Sequence, residues 1–315
     1  MSSSPIAVID VGSNTIKMLV ARKGADGLPE GVFFRTCDAR ISRGISSASP
    51  TLTEEGMQVG LEAIRSLITD ARAHGASLIS MVATSAVRSA SNGPEFCARI
   101  LAATGLALRT LSGDEEARLI GRGLACDPAL AALGNFYVFD LGGGSMECLA
   151  YSGGTQVQAL SLPLGCVRLT ERFISDPSAP IPAEQLELVA RHSRELLAGS
   201  GFSFTLPNAG AVFAGGSMTT ARAIVGAALG KSLNEAPLTL TLAELEALLT
   251  RLAALSLAER RSAIPGLPPA RADVFPAALA TMIASGRAAG VSSFRHSLYN
   301  LRHGLAAELL ESQPG

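Results

Sequence analysis

The sequence predicts an α/β protein built from two copies of one βββαβαβα unit, and two strings carry most of that prediction. Asp10-Val11-Gly12-Ser13-Asn14-Thr15 and Asp140-Leu141-Gly142-Gly143-Gly144-Ser145 lie 130 positions apart. Each follows an apolar β-like run (6–9 and 136–139), and each is followed by another (16–20 and 146–151). A third observation supports the repeat: after each opening hairpin the chain reads as a further strand and then as alternating helical and strand patterns.

The first copy continues with a strand over 31–37. Thr53 then caps a helix whose apolar positions, Met57, Leu61, Ile64, Ile68 and Ala71, keep a 3.6-residue period and which stops at His74-Gly75. A buried strand over 78–83 follows. Asn92-Gly93-Pro94 opens a helix with proline near its first position, 105–111 reads as a strand, and Ser112-Gly113-Asp114-Glu115 is a capping-box start to a helix reaching about Leu124. The second copy adds a third strand over 155–162, helices over 183–198, 218–229, 243–255 and 272–288, a short strand over 211–214 ending in Gly215-Gly216, and a strand near 291–294. A terminal helix over 298–310 closes the chain, and Pro265-Gly266-Leu267-Pro268-Pro269 is the clearest loop. The expected domains are 1–125 and 126–298 with a hinge around 125–134, and the C-terminal helix over 299–312 is a candidate to pack back onto the first. A duplicated unit of this kind is the signature of the actin-like, ribonuclease H-type (ASKHA) fold, two domains around a central cleft; the site must be argued separately.

Composition narrows the function. The 315 residues are 48% hydrophobic and 17% charged, and the net charge is −1, so no basic field attracts nucleic acid and anion binding must be local. Three lysines (Lys17, Lys23, Lys231) stand against 23 arginines spread along the chain, which reads as compositional bias. Five scattered cysteines without a C-x-x-C pair argue for reduced thiols and against a zinc site. No signal peptide is visible and no apolar run approaches the ~20 residues that span a bilayer. The expectation is a cytoplasmic protein that binds neither nucleic acid nor membrane.

Tight turns rich in Gly and Ser let several backbone N–H groups converge on one anion. Neither turn is a Walker A loop, because a strand follows and no lysine sits in place. A pair of ordinary hairpins would not explain why Asp10 and Asp140 both close buried runs, where a carboxylate is costly unless paired or metal-bound. Two facing phosphate cradles are therefore expected, with Gly12, Ser13 and Asn14 in one and Gly143, Gly144 and Ser145 in the other. A third glycine string, Ala214-Gly215-Gly216-Ser217-Met218-Thr219-Thr220, runs from a strand into a helix and suits a phosphate or a nucleotide at Gly216, or equally a plain capped turn. In the acidic helix start, Glu115 is occupied as the N3 residue of the capping box, while Glu116 points about 100° away and is the candidate general base. Arg88 lies just past a buried strand, and its guanidinium suits charge building on a phosphoryl group; Arg168 has a similar case. His74, His192, His296 and His303 form no metal or catalytic spacing, although His296 and His303 would share one face of a helix beginning early enough.

Nearly end to end the chain resembles the exopolyphosphatase / guanosine pentaphosphate phosphatase (Ppx/GppA) family, through AVIDVGSNTIKMLVA (7–21), VATSAVRSASN (82–92), LSGDEEARLIGRGL (111–124), FDLGGGSMEC (139–148), LPLGCVRLTERF (162–173) and LPPARADV (267–274). The resemblance implies hydrolysis of a terminal phosphoryl group by water with Mg²⁺ or another divalent cation. It gives Glu116 the catalytic role, Arg88 a phosphate contact, the two turns their phosphate-holding role, and Asp140, Glu147 and Asp10 the metal. Inorganic polyphosphate is the expected substrate, with guanosine pentaphosphate (pppGpp) as the alternative. Two other classes stay open: a kinase of the same fold, which would need an acceptor-side base, and a non-hydrolytic sensor of phosphate ligands, which the loss of Glu116 or Arg88 would have favoured. The segment His296–Gly304 keeps Leu-Arg-x-Gly but has His303 where the family pattern has Glu. The Ala/Leu-rich helices of the second half are a candidate homodimer surface.

Overall fold

A computed structural model describes residues 4–312. They divide into two compact units, one formed by 4–130 together with 299–312 and the other by Ala131–Leu298.

The first unit is built on a five-stranded sheet in the order β3-β2-β1-β4-β5. Strands β1 (Ile6–Val11), β2 (Thr15–Lys23) and β3 (Pro29–Asp38) form an antiparallel meander, and β4 (Leu78–Ala83) and β5 (Leu108–Thr110) run parallel to β1. Ile6, Ala7, Val8 and Ile9 are all fully buried, as expected of a central strand covered on both faces. Helix α1 (Glu54–Ala73) starts where Thr53 accepts a hydrogen bond from Gly56 N–H, and it buries Met57, Ile64, Leu67, Ile68 and Ala71. Two features differ from the sequence expectation. A five-residue helix α2 (Ser85–Ser89) precedes α3 (Gly93–Thr104), too short for periodicity to reveal. Gly105 is the left-handed cap of α3 (φ 72°) rather than a strand residue, so β5 is only three residues long.

Helix α4 (Gly113–Leu124) follows with its capping box formed. Against it lies the last helix of the chain, α11 (Leu301–Glu311). A Cβ on Gly123 would collide with the Asn300 backbone, and one on Gly304 with the Leu119 backbone, so both glycines are needed for the helices to touch. Arg118–Glu308 and Arg122–Glu311 ion pairs flank this contact.

The second unit repeats the topology and extends it. Its sheet has the order β8-β7-β6-β9-β11-β10. The antiparallel meander is β6 (Asn135–Leu141), β7 (Met146–Ser152) and β8 (Thr155–Leu162). Strands β9 (Gly210–Ala214) and β11 (Ser293–His296) are parallel to β6, and the added β10 (Thr239–Thr241) pairs antiparallel with β11. The helices are α5 (Cys166–Phe173), α6 (Ala183–Gly199), α7 (Gly215–Ala228), α8 (Leu242–Ala253), α9 (Leu257–Ala263) and α10 (Phe275–Ala288). Both sheets thus share the order 3-2-1-4-5 with the same strand directions, which makes the fold a duplicated actin-like one.

The helix expected over 243–255 is α8, and a short helix that the sequence reading did not include, α9, follows it where Ser256 and Glu259 form a capping box. Helix α10 is buried from Phe275 to Gly286 within its own unit, so its alanine face is not an open dimer surface. His296 ends strand β11 while His303 lies in α11, so the two histidines do not share a helix. No described helix is long and apolar enough to cross a membrane.

Candidate functional site

In each unit the link between the first two strands closes with the same hydrogen bond, Gly12 N–H to Thr15 O (3.2 Å) and Gly142 N–H to Ser145 O (3.0 Å). The loop residues are Ser13-Asn14 in one and Gly143-Gly144 in the other. In each, the segment after the third strand binds the loop carbonyls from behind. In the first unit Asn14 O accepts from Ala39 N (3.3 Å) and Arg40 N (3.0 Å), Ser13 O accepts from Ser42 N (3.3 Å), and Arg40 Nε reaches Asn14 Oδ1 at 3.0 Å. In the second, the first turn of α5 does this work: Cys166 N donates to Gly142 O (3.0 Å), Val167 N and Arg168 N donate to Gly143 O (2.9 and 3.2 Å), and Arg168 Nε donates to Gly144 O (3.0 Å). A planar trans peptide points its C=O and N–H in opposite directions. With the carbonyls turned back, the N–H groups of Asn14 and Thr15, and of Gly143, Gly144 and Ser145, point away from the backing segments, an arrangement that could serve as an anion nest.

Two residues make this backing possible. Gly165 packs so tightly on the second turn that a Cβ would collide with the Gly143 and Gly144 backbone. Arg40 holds φ at 36°, the left-handed region that L-residues avoid, and this carries its guanidinium under the first turn. Beside that turn, Asn14 Nδ2 and Ser42 Oγ are buried and have no hydrogen-bond partner among the described residues.

The Arg88 and Glu116 side chains meet inside the first unit. Arg88 Nη1 donates to Glu116 Oε2 at 2.8 Å and to Leu111 O at 2.9 Å, and Glu116 is 6% exposed. Local structure explains the pairing. The α4 capping box uses Glu115, whose Oε2 accepts from Ser112 N (2.8 Å) and whose Oε1 accepts from Arg109 Nη1 (2.8 Å). The Ser112 hydrogen bonds, the backbone one foremost, hold the Glu115 carboxyl below the usual carboxylate range. The next residue, a third of a turn round, is thereby directed inward to the end of β4, where α2 presents Arg88.

The three acidic candidates separate into two environments. Asp140 and Glu147 are direct cross-strand partners in the β6–β7 ladder. Glu147, 2% exposed, accepts from Ser161 Oγ at 2.7 Å. The Asp140 carboxylate lies where a Cβ of Gly215 would be, and Gly215 (φ 81°) has none. Like charges directly opposite one another destabilise a ladder unless something neutralises them. Two adjacent carboxylates fit a Mg²⁺-type ion, which takes one or two protein carboxylates and fills its other positions with water and phosphate oxygens. Among the described residues no cluster of three or more His, Cys, Asp or Glu side chains gathers. In the first unit the equivalent ladder pair is Asp10 with Lys17, and Arg302 Nη1 lies 3.7 Å from Asp10 Oδ2. Asp10 is therefore surrounded by cations. Burial raises its pKa, and Arg302 and Lys17 oppose that shift.

At the third glycine string, Gly216 lies beneath the Arg271 guanidinium, with which a Cβ would collide, and Ser217 Oγ ties the start of α7 to Leu141 O at 3.1 Å. Gly215 and Gly216 thus border Asp140 on one side and Arg271 on the other. Reading motifs one at a time missed Arg40, Ser42 and Arg271. Only Arg271 had a sequence signal, its place in LPPARADV; Arg40 and Ser42 lie in a segment without a motif.

The fold and its paired turns define the class first: an actin-like α/β protein with two equivalent glycine- and serine-containing hairpin turns. Within that class the chain belongs to the Ppx/GppA phosphatase family, whose family model matches residues 19–313. Among solved structures, an exopolyphosphatase from Cytophaga hutchinsonii superposes with a TM-score of 0.88 at 23% identity, over 98% of this chain and 99% of that one. The Ppx/GppA family member from Aquifex aeolicus gives a TM-score of 0.77 at 22% identity, over 99% of each chain. At these identities the likeness is one of fold.

Proposed function

We propose that the chain is an exopolyphosphatase that releases terminal orthophosphate from inorganic polyphosphate by attack of water. The 2.8 Å contact of the buried Glu116 with the partly exposed Arg88 carries this reading, because a carboxylate able to accept a proton stands beside a guanidinium able to bind a phosphoryl group. In this reading Arg88 binds the terminal phosphoryl group, and Glu116 takes the proton from the attacking water as the P–O bond to the rest of the chain breaks. Phosphoryl transfer needs mainly positioning and charge neutralisation. The outward N–H groups and side chains of Gly12, Ser13 and Asn14, those of Gly143, Gly144 and Ser145, and the start of α7 at Gly216 would hold phosphate oxygens. Arg168 would act from behind, holding its turn in shape through Gly144 O. Asp140 and Glu147 would hold a divalent cation, which when bound neutralises charge on the phosphate oxygens.

The backbone N–H groups and Arg88 in this inventory recognise phosphate oxygens, the only groups that a polyphosphate chain presents. That favours polyphosphate over pppGpp. The test is phosphate release from polyphosphate, pppGpp and ATP by the wild type and by Glu116→Gln. The expected outcome is fastest release from polyphosphate and a loss of about 10²–10⁴-fold in kcat for the variant. Full activity in Glu116→Gln would refute the mechanism, and faster release from pppGpp would reassign the substrate.

A further inference from the structure

Behind the third glycine turn, the second unit buries an arginine and a histidine that the phosphate chemistry above does not touch. Arg222, on α7, is 1% exposed. Its Nε donates to Pro237 O (2.8 Å), its Nη2 to Leu233 O (2.9 Å) and Ala236 O (2.8 Å), and its Nη1 reaches His296 Nδ1 at 2.8 Å. Guanidinium nitrogens only donate, so His296 Nδ1 must accept, and the ring is the neutral tautomer with its hydrogen on Nε2. Burial, reinforced by Arg222, agrees by pushing the His296 pKa down to about 3.

His296 Nε2 lies 3.3 Å from Thr219 Oγ1, and the Thr219 hydroxyl donates to Gly215 O at 2.9 Å. With its only hydrogen committed there, Thr219 Oγ1 accepts from His296. The donors run one way, from Arg222 through His296 and Thr219 to Gly215 O. The sheet brings His296 into this line, since it pairs with Phe213 next to the end of β9, the strand that leads into Gly215. Gly215 O shares a peptide with Gly216 N–H, and fixing one end of a planar trans peptide aims the other in the opposite direction.

We propose that His296 is a positioning residue: held in its Nε2–H tautomer by Arg222, it orients the Gly215–Gly216 peptide through Thr219 so that Gly216 N–H meets an incoming phosphate. The phosphate substrate rests on the reading under Proposed function; the relay rests on the hydrogen bonds alone.

The alternative is that Arg222 and His296 merely tie down the 233–237 loop. Thr219→Val and Thr219→Ser leave the Arg222 bonds to that loop untouched and separate the two. Long-range ¹H–¹⁵N spectra of the imidazole read the tautomer, and titration with inorganic phosphate, followed at the Gly216 amide, reads binding without turnover. The expected result is an Nε2–H ring, with phosphate affinity about tenfold weaker in Thr219→Val and His296→Leu and KM for polyphosphate raised to match, roughly the loss of one hydrogen bond. Thr219→Ser and His296→Gln, which restore a donor, should return to within about threefold of wild type, and Thr219→Val should keep its Tm. An Nδ1–H ring, or a Thr219→Val protein that binds phosphate like wild type, would overturn the relay. A wild type that releases no phosphate from polyphosphate would defeat the hydrolase reading, while the phosphate titration would still decide the relay.

Discussion

Glu115 and Glu116 are adjacent in sequence, yet a third of a helical turn gives them different tasks. Glu115 closes the α4 capping box and pairs with Arg109, whereas Glu116 is buried against Arg88. Glu115→Gln should cost stability, about 1 kcal/mol or less, and leave kcat near wild type, the reverse of Glu116→Gln; thermal melts and phosphate release on the two proteins test this contrast. The acidic positions divide in the same way. Asp140→Asn and Glu147→Gln remove one of two facing carboxylates and should raise the Mg²⁺ concentration needed for half-maximal activity about tenfold or more. Asp10→Asn, in a site already occupied by Lys17 and Arg302, should leave that requirement within about threefold of wild type. Metal titrations of the three variants would expose an error if Asp10→Asn shifted as far as Asp140→Asn.

At the scale of elements, each hairpin turn depends on what lies behind it. The loop after β3 and the first turn of α5 have unrelated sequences but perform the same act, drawing the turn carbonyls back so that the N–H groups face out. Helix α4 has an equivalent support in α11, reached only because Gly123 and Gly304 lack side chains. Gly304→Ala would push a methyl group into the Leu119 backbone and force the helices apart. Overpacking of this kind costs about 1–3 kcal/mol. Since α4 carries Glu116, kcat should fall together with the denaturation midpoint. A Gly304→Ala enzyme with unchanged midpoint and rate would show that α11 does not brace α4.

Across the whole molecule, two buried histidines make stability depend on pH. Burial pushes both His296 and His303 down to about 3, far below the ~6.5 of an unfolded chain. As pH falls below ~6.5 the unfolded chain takes up protons that the folded one refuses, so stability present above that pH is lost at up to ~1.4 kcal/mol per pH unit per histidine. Between pH 6.5 and about 5, before most carboxylates titrate, urea midpoints should therefore fall, and in His303→Gln the slope should be about half that of the wild type if these two groups dominate. A flat midpoint over that interval would contradict the buried neutral state of both rings.

The sequence by itself determined the repeat and the actin-like fold, because these depend on local signals: apolar periodicity, capping boxes, and small residues where a turn needs room. Thr53, Ser112, Glu115 and Gly12 could be assigned from their neighbours alone. Short elements escaped it, since α2, β10 and α9 are too brief for a period to show. Only the tertiary structure decided what the repeat did with equivalent positions. Asp10 and Asp140 look alike in their strings, but the ladder opposes one with Lys17 and the other with Glu147, and α11 brings Arg302 to the first alone. Arg40, Arg271 and His296 reach the glycine turns through contacts distant in sequence, and no local pattern records those partners. Local preferences choose the elements; charge and hydrogen-bond partners are chosen by strand register and packing.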